Sequence, residues 1–230
     1  MKDRIIVALD TDSPEAALAA VSALAGEVGL FKVGMELFPR GGPELVGRIR
    51  AKGADVFLDL KFHDIPNTVA GAVKSAAAMG VKFATVHASG GKAMLSAAAQ
   101  AAAGTGTTIL AVTVLTSLDD ADLSSIGFAL RMAEAVERLA ALSAESGIGG
   151  IVCSAREVAA VRALVGKRTV LVTPGVRLPE DSAGDQKRVV TPFDAIKAGA
   201  DYLVVGRPIT KAADPVAAAR KFAADMKRAS

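Results

Sequence analysis

The chain has 230 residues and 51% hydrophobic content, so it is long enough to bury a large core, and its length suits one domain over residues 1–230. Its 27 basic and 24 acidic residues give a net charge of +3 and are scattered along the sequence. With only 4% aromatic residues, this composition argues against a nucleic-acid-binding surface or a polybasic membrane surface.

The amino-terminal sequence MKDRIIVALDTDSPEAAL predicts a cytoplasmic protein, because acidic residues interrupt the apolar core that a secretory signal needs. The uncharged stretch 93–118 is broken by GTGTT, so it does not predict a membrane span. The only cysteine, Cys153, cannot form an internal disulfide. It lies in an apolar stretch, which favours a buried thiol over a nucleophile.

Eight short apolar stretches rich in β-branched residues predict eight strands. In chain order they are RIIVAL, LFKVG, DVFLDL, FATVH, TILAVTVL, GGIVCS, TVLVT and YLVVG, which begin near Arg4, Leu30, Asp55, Phe83, Thr108, Gly149, Thr169 and Tyr202. Alanine-rich segments with helical spacing separate them; in the first, Ser13 predicts the N-cap, Pro14 the first helical residue and Gly26 the end. The alternation predicts a single closed (β/α)8 (TIM) barrel of the α/β class, with its active site at the C-terminal mouth of the strands.

Charged residues cluster where these strands end. Alternate residues of a strand share a face, so Phe57, Asp59 and Lys61 are predicted to point into the barrel together. Asp10 closes the first strand and Lys32 lies in the second. A lone Asp–Lys pair would also suit a structural ion pair, but charges from several strand ends favour an active site, because burying them costs free energy that an apolar scaffold does not recover.

Other polar residues near the third strand have more than one interpretation. Asp64 is followed by Ile65 and Pro66 and is predicted to cap the helix that begins there. His63 and His87 are candidates for acid–base chemistry because imidazole titrates near neutrality, although each also suits a hydrogen-bonded structural role. The sequence contains no Cys/His cluster for zinc, while Asp59 and Asp64 could contribute to a magnesium site.

The end of the chain contains candidate phosphate contacts. After the eighth strand, Gly206 allows a ligand to approach backbone amides, and Arg207 can pair with phosphate oxygens, although an arginine at a barrel rim also suits a structural role. The polar segment 174–191 contains Arg177, Gln186 and Arg188, and its length predicts a lid or phosphate-binding loop. A phosphorylated substrate is the simplest interpretation.

The chain resembles the orotidine 5′-monophosphate decarboxylases of the bacterial, short-chain type. The strongest match is DLKFHDIPNT at 59–68, and VALD, FKVG, VLTS, TPGVR and VGRPIT extend the match over essentially the full length in order. The resemblance implies decarboxylation of orotidine 5′-monophosphate to uridine 5′-monophosphate in pyrimidine biosynthesis, without a cofactor or metal, by a homodimer.

The resemblance also implies site residues. Lys32, Asp59, Lys61 and Asp64 would form an alternating array in which Lys61 donates the proton. The implied substrate contacts are Asp10 and Lys32 at the ribose, Thr116 and Ser117 at the pyrimidine, Arg177, Gln186, Gly206 and Arg207 at the phosphate end, and Pro174 as a further contact. Asp64 and Thr68 would reach into the neighbouring subunit's site. No role is assigned to His63, His87 or Arg188.

Two alternatives stay open. Magnesium-dependent decarboxylases and synthases of sugar phosphates share the DxKxxD spacing of Asp59, Lys61 and Asp64, but they usually carry an acid near the position of Lys32, where a cation would repel magnesium. A non-catalytic barrel that binds a phosphorylated ligand would keep the fold without turnover. The intact set of four charges argues against that second alternative.

Overall fold

A computed structural model describes residues 1–179 and 190–229. Eight parallel strands form a closed barrel in which each strand pairs with the next and the eighth pairs with the first. The strands are β1 (Ile5–Ala8), β2 (Leu30–Gly34), β3 (Asp55–Phe62), β4 (Phe83–His87), β5 (Thr108–Val112), β6 (Gly150–Val152), β7 (Val170–Pro174) and β8 (Tyr202–Val205). The predicted (β/α)8 barrel is therefore confirmed, and every predicted strand begins within one residue of its observed start.

Helices alternate with these strands. They are α1 (Pro14–Leu24), α2 (Phe38–Ala51), α3 (Pro66–Ala78), α4 (Gly91–Ala102), α5 (Asp120–Ser125), α6 (Met132–Glu145), α7 (Val158–Val165), α8 (Pro192–Ala198), α9 (Arg207–Thr210) and α10 (Pro215–Lys227). The predicted start of α1 is confirmed, because the Ser13 hydroxyl accepts a hydrogen bond from the Ala16 amide at 3.1 Å. Proline occupies the first turn of several helices, where its missing N–H has no intrahelical partner to lose.

The core has two layers separated by the sheet. Outward-facing strand residues such as Val56 and Leu58 pack against the helices in the larger layer. Inward-facing residues fill the barrel itself: Ile6, Ala8, Leu30, Phe57, Phe83, Leu110, Val172 and Val204. Phe57 and Phe83 meet edge to face, with ring centroids 6.0 Å apart. These two rings close the barrel below its C-terminal mouth, so polar residues one layer higher stand on an apolar floor.

The N-terminal face of the barrel is held by arginine contacts to backbone carbonyls. The Arg162 guanidinium donates to the carbonyls of Thr169 and Gly199 and to Asp201 Oδ2, the last at 2.6 Å. Asp201 Oδ2 also accepts from the Leu171 amide at 2.8 Å. Because these bonds link α7, β7 and the segment before β8, we attribute a stabilising role to this face, separate from the charged mouth.

Candidate active site

Four charged side chains form a continuous alternating network at the C-terminal mouth. Lys32 Nζ lies 3.0 Å from Asp10 Oδ1 and 3.7 Å from Asp59 Oδ2. Lys61 Nζ lies 2.8 Å from Asp59 Oδ1. The Asp59 side chain is only 12% exposed and the Lys32 side chain 13%, so solvent screens their interaction weakly. The expected convergence of Asp10, Lys32, Asp59 and Lys61 is therefore observed.

An irregularity in β3 brings Asp59 and Lys61 together. Between the pairs Leu58–Ala84 and Phe62–Val86, β3 advances four residues while β4 advances two, so the ladder is interrupted by a bulge. Within the bulge Lys61 has a φ of 51°, the only positive φ of a non-glycine residue in the described part of the chain. This left-handed backbone costs an L-residue about 1–2 kcal/mol. Strict alternation in a regular strand therefore does not explain how Lys61 faces the mouth.

Thr85 on β4 lies opposite this bulge. Its side chain is fully buried. The Lys61 amide donates to Thr85 Oγ1 at 2.8 Å, and the Thr85 hydroxyl donates to Asp59 Oδ1 at 3.0 Å. Sequence reasoning did not identify Thr85. The sequence signal for Thr85 was its hydroxyl within the stretch FATVH, where the preceding residues are apolar. Thr85 follows the inward-facing Phe83 by two positions, so it shares that face of the strand.

A cavity of about 300 Å³ opens above the apolar floor beside this network. Its walls carry the three clustered side chains Lys32, Asp59 and Lys61, together with Phe57, Val112, Val114, Leu115, Thr116, Ser117, Val152, Cys153, Pro174 and Val204. Thr116 and Ser117 thus line the same cavity as the charged network. Burial, with the nearby Glu157 carboxylate, raises the pKa of Cys153 to about 12, so this thiol is a poor nucleophile.

A second cavity of about 450 Å³ adjoins the first, and both are lined by Lys32, Pro174 and Val204. The residues specific to the second are Ala8, Asp10, Glu36, Gly175, Arg177, Gly206, Arg207 and Lys211. Lys32, Arg177, Arg207 and Lys211 outnumber the acids Asp10 and Glu36, so this cavity favours an anionic group. Sequence reasoning identified Arg177, Gly206 and Arg207 but missed Glu36 and Lys211, which follow the charged strand ends by only a few residues.

Asp64 and Thr68 do not join the network within this chain. Both are exposed and neither lines the two cavities. The prediction that Asp64 caps α3 is wrong: Ile65 is the N-cap residue, and the helix start has no side-chain cap. Asp64 Oδ1 instead accepts from the adjacent Ile65 amide at 2.6 Å.

The predicted 174–191 loop lies largely outside the described residues, whereas the two candidate histidines lie within them. Gln186 and Arg188 lie outside the described residues, as does most of the predicted 174–191 loop. The His63 and His87 rings lie side by side, with centroids 5.4 Å apart and planes tilted by 44°. Burial lowers the pKa of His87, and the positive charges of His63 and Lys61 lower it further. His87 is therefore favoured as a neutral imidazole at the edge of the charged network.

The described residues contain neither a metal-binding cluster nor a membrane-crossing helix. In the ranges 1–179 and 190–229, no three His, Cys, Asp or Glu side chains are grouped so that they could hold a metal ion. Over the same ranges, no helix combines the length and apolar character that crossing a membrane requires.

Comparison with known proteins places the chain in a family. The family model "Orotidine 5'-phosphate decarboxylase / HUMPS family" matches residues 3–222. Orotidine 5′-phosphate decarboxylase of Anaeromyxobacter sp. (strain K) is 55% identical over 224 residues, which cover 97% of this chain and 98% of that protein. The protein of the same name from Saccharophagus degradans is 49% identical over 229 residues, or 99% and 96% of the two chains.

A solved structure extends the similarity to the fold. The crystal structure of orotidine 5′-phosphate decarboxylase from Lactobacillus acidophilus matches with a TM-score of 0.86 at 39% identity, covering 96% of this chain and 98% of that one. The family match spans nearly the whole sequence, and both relatives exceed 45% identity over nearly their full lengths. The chain therefore belongs to the orotidine 5′-phosphate decarboxylase / HUMPS family.

Proposed function

We propose that this protein decarboxylates orotidine 5′-monophosphate to uridine 5′-monophosphate, a reaction of pyrimidine biosynthesis, without a cofactor. The observation that carries the proposal is the alternating network of Asp10, Lys32, Asp59 and Lys61 at the mouth of the barrel. The names of the relatives support the same reaction. A cytoplasmic location is part of the proposal, and the single cysteine suits a reducing compartment.

The two cavities suit the two ends of this nucleotide. The first combines apolar walls with Thr116 and Ser117, which supports binding of the pyrimidine. The second has an excess of positive charge and contains Gly206 and Arg207, which supports binding of the phosphate. Asp10 and Lys32 lie near the junction and are proposed to contact the ribose hydroxyls. Pro174 lines both cavities and is proposed as a further contact.

The proposed chemistry begins with heterolytic cleavage of the bond between the pyrimidine ring and its carboxylate. Carbon dioxide leaves, and the electron pair remains on the ring carbon, where no neighbouring ring position can delocalise it. The Lys61 ammonium stabilises this carbanion and then donates a proton to the same carbon. Solvent afterwards restores the proton to Lys61, so each turnover consumes one proton and requires no oxidant or reductant.

Asp59 has two proposed roles in this step. Its contact with Lys61 at 2.8 Å fixes the ammonium beside the reacting carbon, which lowers the reorganisation needed during the reaction. Its negative charge also faces the leaving carboxylate and raises the energy of the bound substrate. Lys32 Nζ lies 3.7 Å from Asp59 Oδ2 and holds the Asp59 carboxylate in this orientation.

The active unit is proposed to be a homodimer in which Asp64 and Thr68 complete the neighbouring site. Their exposure and their absence from both cavity walls of this chain support the idea that their partners lie elsewhere. The segment 174–191 is proposed as the phosphate-binding lid, with Gln186 as one of its contacts. Binding energy from the phosphate would then close the lid and exclude water from the reacting carbon.

The direct test is to follow the ultraviolet absorbance of orotidine 5′-monophosphate with purified protein. We expect loss of the substrate signal with release of carbon dioxide. Tight binding with unchanged absorbance would instead support a non-catalytic binding protein. The assay is repeated in EDTA, because the magnesium-dependent sugar-phosphate enzymes would lose activity there and recover it with magnesium. We expect no effect, since Lys32 and Lys61 flank Asp59 and repel a divalent cation.

A further inference from the structure

The hydroxyl of Thr85 closes a ring of interactions around Lys61. It accepts from the Lys61 backbone amide at 2.8 Å and donates to Asp59 Oδ1 at 3.0 Å. The same Asp59 oxygen accepts from Lys61 Nζ at 2.8 Å. Thr85 therefore contacts the backbone of Lys61 directly, and it is linked to the Lys61 ammonium through Asp59 Oδ1. Its hydroxyl acts as both donor and acceptor in these contacts.

The location of Thr85 explains why this ring is needed. Where β3 bulges away from β4, the Lys61 amide loses its regular ladder partner, and the Thr85 hydroxyl takes the place of a backbone carbonyl. The left-handed φ of Lys61, 51°, is unfavourable and persists only when its surroundings hold it. Thr85 is fully buried and does not line either cavity, so its contacts are with the network rather than with a ligand.

We propose that Thr85 is a positioning residue for the reaction. It holds Lys61 in its left-handed conformation and holds Asp59 in the orientation that contacts the Lys61 ammonium. The inference rests on the function proposed above. It predicts that loss of the hydroxyl misplaces the proton donor without removing any contact to the substrate. The chemical step should then slow while binding of the nucleotide is preserved.

The test compares Thr85→Val, which removes the hydroxyl at nearly constant shape, with Thr85→Ser, which keeps it. We expect kcat of Thr85→Val to fall by about 100-fold, the effect of a small misplacement in a preorganised site, with KM close to that of the wild-type protein. Thr85→Ser should retain most of the wild-type kcat. If Thr85→Val does not fold, Thr85→Cys replaces it, because a thiol is a weak donor and acceptor.

Thr173 offers a matched control. It is also a fully buried threonine on a barrel strand, but its hydroxyl has no hydrogen-bond partner in the structure as described. Thr173→Val makes the same chemical change and should leave kcat unchanged. A wild-type kcat in Thr85→Val would overturn the proposal. Equal losses in Thr85→Val and Thr85→Ser would overturn it as well, because Thr85→Ser keeps the hydroxyl and the loss would then not depend on it.

A crystal structure of Thr85→Val separates this inference from the proposed function. We expect φ of Lys61 to leave the left-handed region and the contact between Lys61 Nζ and Asp59 to lengthen from 2.8 Å. This result would support the positioning role even if the wild-type protein did not decarboxylate the nucleotide. An unchanged Lys61 conformation and an unchanged contact would refute it whatever the activity.

Discussion

Lys61 Nζ lies 2.8 Å from Asp59 Oδ1, although the two residues belong to the same strand and the backbone of Lys61 is left-handed. The contact places an ammonium and a carboxylate side by side at the wall of the first cavity. Neither group is needed for the barrel to close, because the core below them is apolar. Their arrangement is therefore best explained by chemistry at the mouth.

Lys61→Ala should lower kcat by about 1,000-fold or more, because the proposed proton donor and its stabilising charge are both lost. Binding of uridine 5′-monophosphate should stay measurable by calorimetry, since the second cavity is unchanged. Lys82→Ala is the control: Lys82 pairs with Asp55 at 3.3 Å, at the opposite end of β3. A Lys61→Ala protein with near wild-type turnover would remove Lys61 from the donor role.

Arg207→Ala should weaken binding of uridine 5′-monophosphate by roughly 10- to 100-fold, as expected for losing a charged hydrogen bond to phosphate. Binding of uridine, which has no phosphate, should change little. Arg48→Ala, on the exposed side of α2, serves as the control for loss of one positive charge. Equal weakening of nucleotide and nucleoside would show that Arg207 acts on the fold rather than on the phosphate.

Mixing equal amounts of inactive Lys61→Ala and Asp64→Ala proteins should restore about a quarter of the wild-type activity. In the proposed homodimer, half of the dimers would be mixed and each would have one complete site. Mixing Lys61→Ala with Asp59→Ala is the matched control. Asp59 and Lys61 contact each other within one chain, so no mixed dimer has a complete site and no recovery is expected. If the first mixture also stays inactive after subunit exchange is demonstrated, the sites are not shared.

The stability of the protein should fall as pH decreases below about 6.5, the ordinary pKa of histidine. Burial, His63 and Lys61 lower the pKa of His87 in the folded protein. As the pH falls, His87 is therefore protonated in the unfolded chain before it is protonated in the folded protein, and this difference favours unfolding. The effect develops between the ordinary pKa and the lower pKa of the folded state. Urea midpoints measured across this range should depend less on pH in His87→Gln than in the wild-type protein. An unchanged pH dependence would contradict the role of His87 in this loss of stability.

Arg162→Ala should lower the free energy of unfolding by about 2 kcal/mol or more, because several carbonyls and Asp201 lose a partly buried donor. Turnover at low temperature should be unaffected, since these contacts lie at the face opposite the mouth. Arg220→Ala is the control: Arg220 pairs with Glu27, but its side chain is 67% exposed, so little change is expected. Similar denaturation midpoints for both variants would show that the partly buried contacts of Arg162 stabilise the fold no more than the exposed pair of Arg220.

The fold was largely predictable because a parallel barrel repeats one local rule. Each strand is buried on both faces and each crossover needs a helix, so β-branched stretches and alanine-rich stretches alternate with a clear period. The start of α1 was predictable for a similar reason, since Ser13 and Pro14 act within one turn. The convergence of Lys32 and Asp59 followed from strand ends meeting at one rim.

The details of the site were less predictable because they depend on contacts between strands. The bulge in β3 and the left-handed Lys61 are supported by Thr85, which is 24 residues away in sequence from Lys61. The cap of α3 was predicted incorrectly because Asp64 bonds its neighbouring amide instead of the helix. Asp64 and Thr68 were implied only by resemblance, and their proposed contribution to a neighbouring subunit would leave no periodic signal in their own chain.

The shared wall formed by Lys32, Pro174 and Val204 joins the two cavities into one trough with chemically different ends. On the proposed function, a small uracil-like ring or a small phosphate compound would occupy only one end and leave the other hydrated. Tethering two such fragments by a linker of ribose length makes the second contact intramolecular, so the joined compound should gain affinity beyond either fragment. Inhibitor design by fragment linking is therefore suited to this barrel.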